Sequence, residues 1–335
     1  MGLKKVLIIR FSSIGDIVLT SPVPRSLKKS HPDYEVHFLS KKAHKDLLLH
    51  NPHIDKLHIL KDSLGETIQE LKQENFDYIL DLHHNLRSFL IKLRLGVKAS
   101  SFPKENWAKY KMVRFKNRKI KLRHIVERYA DTLSIVGSQL DHEGLDFFVP
   151  EGLEEKAQNL LSEQLPQVSE KPLAIVLGAK HATKRWPASH FIELIEQLGE
   201  AVVLIGGPDA KEEAEEISKF IQTPLYNSVG HLSLLESAAL LKQCRAVVAH
   251  DTGFMHIAAA FQMDIYSLWG NTVPEFGMTP YKSPHQLLEI RNLDCRPCSK
   301  IGFDQCPKGH FACMKQQKAE KVAERIKGGM PKSEL

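Results

Sequence analysis

Short apolar runs recur along this chain, each followed by a polar turn and then a helix-like segment, and they come in two series. Lys5 to Phe11, Glu35 to Leu39, Lys56 to Leu60 and Asp77 to Leu82 make the first series. Leu173 to Leu177, Ala201 to Ile205, Ala246 to Ala249 and Asp264 to Trp269 make the second. Runs this short and this apolar read as buried strands. Between them, Asp16 to His31, Ser63 to Glu74, Ala188 to Leu198, Ala210 to Phe220 and Leu234 to Lys242 read as helices. Strands that alternate with helices close as a parallel sheet covered on both faces. The expected fold class is therefore α/β, with two Rossmann-like doubly wound domains facing a central cleft. A chain of 335 residues is long enough for two cores. The polar, proline-bounded stretch Pro166 to Pro172 places the boundary, giving domains 1–165 and 166–335. Glu151 to Gln164 is a charged amphipathic helix, and Gly137 to Pro150 is expected as loop and edge strand. The last helix, Lys315 to Lys327, is expected to pack back toward the first domain, with a frayed tail beyond it.

Ligands of open α/β sheets bind at the carboxyl ends of strands, where helices begin. Four turns stand there. His250-Asp251-Thr252-Gly253-Phe254-Met255-His256 follows one buried run and opens the helix that begins around Ile257. A helix start leaves N–H groups free and suits phosphate, Thr252 adds a hydroxyl, and Gly253 permits close approach. The plain alternative is an ordinary turn with Asp251 or Thr252 as N-cap. Ser12-Ser13-Ile14-Gly15-Asp16 follows the first strand. It lacks the G-x-G-x-x-G spacing of a dinucleotide site, which argues against a dehydrogenase. Asp16 sits where a carboxylate is stabilised by the helix dipole, so capping alone would also explain it. His83-His84-Asn85-Leu86-Arg87 could touch a ligand or merely be solvated, and Gly178 to Pro187 is a basic loop.

Net charge is +6, which favours an anionic partner without naming one. Lys104 to Arg123 holds nine Lys or Arg against one acid, Glu105, with Trp107, Tyr110 and Phe115 interleaved. Such a stretch suits an anionic lipid headgroup, a nucleic acid, or plain solvent. No apolar run is long enough to span a bilayer, and the N-terminus lacks a signal-peptide core and cleavage site. The chain is accordingly expected to be cytoplasmic. Cys295, Cys298, Cys306 and Cys313 fall within nineteen residues. A zinc site, a disulfide and simple packing of reduced thiols are all compatible with that spacing.

Four segments taken together resemble the heptosyltransferases, family 9 of the glycosyltransferases. They are Arg10-Phe11-Ser12-Ser13-Ile14-Gly15-Asp16, Thr183-Lys184-Arg185-Trp186-Pro187, Leu204-Ile205-Gly206-Gly207 and Asp251-Thr252-Gly253-Phe254-Met255-His256. The resemblance implies a GT-B architecture, with the acceptor on the first domain and the nucleotide-sugar on the second. It implies inverting, metal-independent transfer of heptose from ADP-L-glycero-D-manno-heptose to the inner core of lipopolysaccharide. No cofactor is expected, because the ADP-sugar is a substrate. The partners it implies are that donor, the lipopolysaccharide core, and the cytoplasmic face of the inner membrane through Lys104–Arg123, rather than nucleic acid.

Residue by residue, Asp16 matches the family's catalytic aspartate and Lys184 its phosphate-binding lysine. Inverting transfer needs a base at the acceptor hydroxyl and positive charge for a departing diphosphate, which these residue types supply. Donor contacts are expected from Thr183, Lys184, Arg185, Asp251, Thr252, Gly253 and His256. Acceptor contacts are expected from Ser13, Gly15, His84 and Arg87, and no metal ligands are assigned. A GT-B transferase with another nucleotide-sugar donor, or a sugar-nucleotide epimerase, stands as the alternative. A non-catalytic binding protein is disfavoured because both Asp16 and Lys184 are present.

Overall fold

The computed structural model describes residues 3–330. The chain forms two compact units. One comprises the described residues up to Glu105 together with Arg123–Phe148, and the other Asn106–Leu122 together with the described residues from Val149 onward.

In the first unit, β1 (Lys5–Ile9) leads through α1 (Ile14–Val18) and α2 (Pro22–Ser30) to β2 (Glu35–Lys41) and β3 (Lys56–Leu60). Then come α3 (Leu64–Gln73), β4 (Tyr78–Asp81), α4 (Leu86–Leu95) and β5 (Lys98–Ser101). The helix anticipated from Asp16 to His31 is thus two helices. Pro22, which has no N–H to give to a preceding turn, starts the second. All strands are parallel, in the order β3-β2-β1-β4-β5, with Val6 of β1 set between Val36 and Tyr78. Leu7 and Ile9 pack with Leu39, Ile68, Leu71, Ile79 and Ile91, so α3 and α4 cover one face of the sheet.

The chain then forms α5 (Asn106–Phe115), which belongs to the second unit, and returns to the first with α6 (Ile125–Ala130). No strand forms within residues 137–150, so the expected edge strand there is loop.

The second unit continues with α7 (Leu153–Gln164), β6 (Leu173–Val176), α8 (Ala188–Leu198), β7 (Val202–Ile205), α9 (Lys211–Phe220) and β8 (Leu225–Asn227). It closes with α10 (Leu234–Lys242), β9 (Ala246–His250), α11 (Gly253–Ala260), β10 (Asp264–Trp269), β11 (His285–Glu289), α12 (Ala312–Lys315) and α13 (Ala319–Lys327). Its six strands are all parallel, in the order β11-β10-β9-β6-β7-β8. Counted from β6, that is the 3-2-1-4-5-6 order of dinucleotide-binding sheets. The edge strands β8 and β11 lack the continuous apolar character that marked the inner strands; every residue in them is half-buried.

Two features differ from the expected division at 165/166. Helix α7 packs on α10, tied by Lys242 to Glu154 at 2.7 Å, so it lies in the second unit. Helix α13 packs on α8 of its own unit. Its Ala319, Val322, Ala323 and Ile326 join Phe191, Leu194 and Ile195 in one core. The frayed tail expected beyond it lies outside the described residues.

The basic stretch is the largest departure. Met112 on α5 packs with Val273 and Phe276. The Arg118 guanidinium bridges Glu275 and Glu289, each at 2.8 Å, and the Leu122 N–H donates to the Glu275 carbonyl. Lys116 Nζ donates to the Pro297 carbonyl. Two cations of the supposed surface patch therefore fasten the segment to the second unit.

Candidate active site

In each unit the order of strands reverses at the centre of the sheet, between β1 and β4 in the first and between β6 and β9 in the second. The sequence-predicted site residues all lie on the loops and helix starts that follow these four strands or, for Arg185, close by.

After β1, the buried Arg10 organises the turn. Its Nε donates to the Ser12 carbonyl at 2.7 Å and its Nη1 to the Leu82 carbonyl at 2.5 Å. Its Nη2 meets Asp16 Oδ1 at 2.7 Å. The other carboxylate oxygen, Oδ2, accepts from the Ser13 hydroxyl at 2.7 Å and the Ser13 N–H at 3.3 Å. The Tyr129 hydroxyl, fully buried and held protonated by that burial, donates weakly to Oδ1 at 3.4 Å. Asp16 is thus a half-buried carboxylate fixed in the first turn of α1, doing the capping job and still reachable from solvent. Ser13 is exposed beside it and Gly15 is buried inside α1.

After β4, the buried Asp81 shapes the second turn. Its Oδ1 accepts the His83 and His84 N–H groups, and its Oδ2 accepts from Ser88 and pairs with Lys92. His84 is exposed at positive φ, with Nδ1 bonded to the Phe102 carbonyl at 2.9 Å. Arg87 is exposed and has no ion pair among the described residues. His83 points the other way: its ring lies 4.7 Å from that of Phe11, and Nδ1 is buried without a hydrogen-bond partner. Burial first, then the Arg10 and Lys104 charges, push its pKa down to about 4, so it is neutral at pH 7.

In the second unit, Lys184 ends a single 3-10 turn, residues 182–184, in the loop after β6. Its Nζ donates to Asp251 Oδ2 at 2.6 Å and to the Asp251 carbonyl at 3.2 Å. Thr272 Oγ1 donates to the same Oδ2 at 3.0 Å. Asp251 therefore aims the lysine at the start of α11, where Thr252 is the N-cap in extended conformation. The Thr252 hydroxyl is buried and makes no hydrogen bond. Gly253 is the first residue of α11, and His256 is buried one turn in. An ammonium, an unsatisfied hydroxyl and the free amides of a helix start form a cradle for an anion.

Two of the expected donor contacts are occupied structurally. The Thr183 hydroxyl accepts the Phe303 N–H at 2.8 Å and donates to the Phe303 carbonyl at 3.0 Å. Arg185 donates to the Ala179 carbonyl and pairs with Asp209 at 2.7 Å, which braces the loop. The following Trp186 is buried, its Nε1 donating to the Gln317 carbonyl and its N–H to His250 Nε2. His250, buried outright, has its pKa pushed down to about 4 by burial, so it is neutral and accepts that N–H.

Sequence reasoning missed Glu213. It lies in the first turn of α9, after β7, with both carboxylate oxygens buried and without a hydrogen bond. Burial raises its pKa to about 7, against the opposing pull of Arg185 at 4.0 Å. An acid beyond the second strand of a dinucleotide-type unit is where ribose hydroxyls are read, and that positional rule was the available signal.

The four clustered cysteines are free thiols, Cys313 buried and the others half-buried. No three of their sulfurs lie within 4.8 Å of one another. Among the described residues, only His37, His58 and Glu74 bring three ligand atoms that close. That set is closed internally: His37 Nδ1 and His58 Nε2 share a hydrogen bond at 2.8 Å, and Glu74 pairs with Lys5 and Lys56.

A family model for glycosyltransferase family 9 (heptosyltransferase) matches residues 65–307. The lipooligosaccharide heptosyltransferase 2 of Haemophilus influenzae is 27% identical over 301 residues, spanning 81% of this chain and 84% of that protein. The lipopolysaccharide heptosyltransferase 2 of Escherichia coli (strain K12) is 25% identical over 332 residues, 92% of each. The solved structure of the E. coli ADP-heptose lipopolysaccharide heptosyltransferase II superposes with a TM-score of 0.73 at 22% identity, covering 97% of this chain and 98% of that one. Two parallel α/β units and this likeness of fold make the architecture GT-B.

Proposed function

The chain belongs to glycosyltransferase family 9, the heptosyltransferases, and from that premise we propose that it moves heptose from ADP-L-glycero-D-manno-heptose to the lipopolysaccharide inner core, with inversion. The acceptor hydroxyl attacks the anomeric carbon, its proton passes to the Asp16 carboxylate, and the bond to the diphosphate breaks to release ADP. Asp16 suits the base role because Arg10 and Ser13 fix its orientation without enclosing it. Lys184, Thr252 and the α11 amides take up the charge growing on the diphosphate, and the proposal assigns that task to them rather than to a metal. Asp251 holds Lys184 and presents its outer face to sugar hydroxyls, with His256 behind it. Glu213 takes the ribose hydroxyls, for which buried carboxylate oxygens without a hydrogen bond are suited. Ser13, His84 and Arg87 meet the acceptor.

The observation that carries this reading is the Lys184–Asp251 pair set at the start of α11 beside an unsatisfied Thr252 hydroxyl. We place the protein in the cytoplasm at the inner membrane; no helix among the described residues is long and apolar enough to cross one. Lys111, Arg114, Lys119 and Lys121 remain exposed to meet anionic lipid. A thermal-shift panel of nucleotide-sugars tests the donor. ADP-heptose should stabilise the protein in proportion to its concentration over Kd, and UDP- or GDP-sugars should not. Stabilisation by a UDP-sugar instead would overturn the reading.

A further inference from the structure

Helix α4 is apolar on two opposite faces. Its inward face is Ser88, Ile91 and Leu95, which pack on the sheet. A soluble helix then presents polar residues outward, as α9 does with Glu212, Glu215, Glu216 and Lys219. Helix α4 instead presents Leu86, Phe89 and Leu93, exposed by 72%, 53% and 63%. Spacings of three and four put all three on one stripe, with Leu90 beside them.

The surroundings say what covers that stripe. From Leu82 to Lys104 the sequence holds no acidic residue, and it holds Arg87, Lys92, Arg94, Lys98 and Lys104. Lys92 is turned inward onto Asp81. Arg87, Arg94 and Lys98 are exposed, with no ion pair among the described residues. A second protein would leave these cations needing acidic partners, and a second copy of this chain would bring the same cations against them. An anionic bilayer satisfies both halves: acyl chains take the apolar stripe, and phosphates take the flanking cations.

We infer that α4 is a membrane-docking helix that seats Leu86, Phe89 and Leu93 among the acyl chains of an anionic lipid surface, with Arg94 and Lys98 at the headgroups. The helix is capped by Asn85, directly after His84, so its inserted end adjoins the turn proposed to hold the acceptor. On the reading that the acceptor is lipid-borne, on which this function of the helix rests, docking would deliver the acceptor sugar without lifting its anchor from the bilayer.

Vesicle co-sedimentation tests the inference without donor or acceptor, so its outcome is separate from that of the nucleotide-sugar panel. The probes are phosphatidylglycerol–phosphatidylcholine vesicles and pure phosphatidylcholine vesicles, each at 0.1 and about 0.5 M salt, where charge–charge attraction is largely screened. The wild-type chain is expected to bind the anionic vesicles and to retain a measurable part of that binding at high salt. The Leu86→Ser/Phe89→Ser/Leu93→Ser variant should bind at least about tenfold more weakly, the residue retained at high salt being lost. Its turnover of a short soluble acceptor should stay within about twofold, which also reports that it folds. Phe89→Trp adds a direct readout: its emission, taken as the difference from wild type, should be quenched by brominated lipid. Unchanged vesicle binding by the triple variant, or an unquenched Trp at position 89, would overturn the inference. So would a triple variant that changes only the sedimentation coefficient, which would assign the stripe to self-association.

Discussion

The two central turns of this enzyme solve opposite problems with the same device. After β1, a buried guanidinium holds a carboxylate; at the turns after β6 and β9, a half-buried carboxylate holds an ammonium. In each pair the better-buried member is the holder. Arg10 is 9% exposed against 22% for Asp16, and Asp251 is 11% exposed against 16% for Lys184. Each turn also rests on a neutral histidine, the half-buried His83 against Phe11 in one and the buried His250 under Trp186 in the other. The difference teaches that a half-buried ion pair is an aiming device here. Its net contribution to stability is small once desolvation is counted, but it fixes which charge reaches the substrate.

The comparison is most sharply broken at Asp16. Asp16→Asn keeps the Ser13 contact geometry and removes proton-accepting power. Transfer should fall by at least about 100-fold while ADP affinity, read by calorimetry, stays unchanged. Near-normal turnover would leave Asp16 as a cap only. Lys184→Ala should act on both columns. Loss of a charge-assisted contact to diphosphate predicts ADP binding weakened by about 10- to 100-fold, with kcat reduced as well. An unaltered ADP titration would remove Lys184 from the diphosphate and assign that contact to another cation of the basic loop from Gly178 to Pro187.

Glu213 sharpens the contrast, because its buried carboxylate has no hydrogen-bonded holder, only the Arg185 guanidinium at 4.0 Å. Its folded pKa of about 7 lies above the ordinary 4.5, so the folded state keeps a proton that the unfolded chain has lost. Stability is therefore drained as pH rises from 4.5 to 7, and the cost is complete above 7. Glu213→Gln should raise stability at pH 8 by about 2 kcal/mol, and hardly at all at pH 4.5. If Glu213 reads the ribose, the same variant should bind ADP less well. A variant that is neither more stable at pH 8 nor weaker for ADP would remove Glu213 from the site.

The smallest effect belongs to His250. Its folded pKa of about 4 lies below the ordinary 6.5. The stability it contributes is fully present above 6.5 and lost as pH falls toward 4. Between pH 7.5 and 5, His250→Gln should show a loss of unfolding free energy about 1 to 2 kcal/mol smaller than wild type, by urea melts at the two pH values. Equal losses in the two proteins would show that the imidazole is not the group responsible.

The inner strands and the turns after them were legible because burial on both faces writes a continuous apolar run, and a turn at its end is short enough to read directly. The places of Asp16 and Asp251 at those turns follow from that, whereas the roles expected of Asp16 and Lys184 came from the family resemblance. What could not be read were partnerships across long sequence separation. Nothing near Arg118 announces Glu275 and Glu289, so its charge looked like surface. Thr183 and Arg185 sit in the loop after β6, yet their polar atoms are taken by Phe303, Ala179 and Asp209, which no local pattern reveals. Glu213 was hidden among the acids of α9, where only burial separates it from Glu212 and Glu216. The edge strands β8 and β11 escaped because half-buried strands need no apolar run.

One consequence of the path taken by residues 106–122 concerns how the molecule can be cut. The chain passes between units at 105/106, 122/123 and 148/149, so neither unit is a contiguous stretch of the gene. A fragment beginning at Val149 would lose Arg118 and leave Glu289, almost wholly buried, with Arg296 and the exposed Arg291 alone. It would also uncover Val273 and Phe276 where Met112 sat. The complementary fragment ending at Phe148 would carry seventeen residues with no surface to fold on. A donor-binding fragment worth expressing has to be spliced, with 106–122 tethered to 149 onward by a designed linker in place of 123–148.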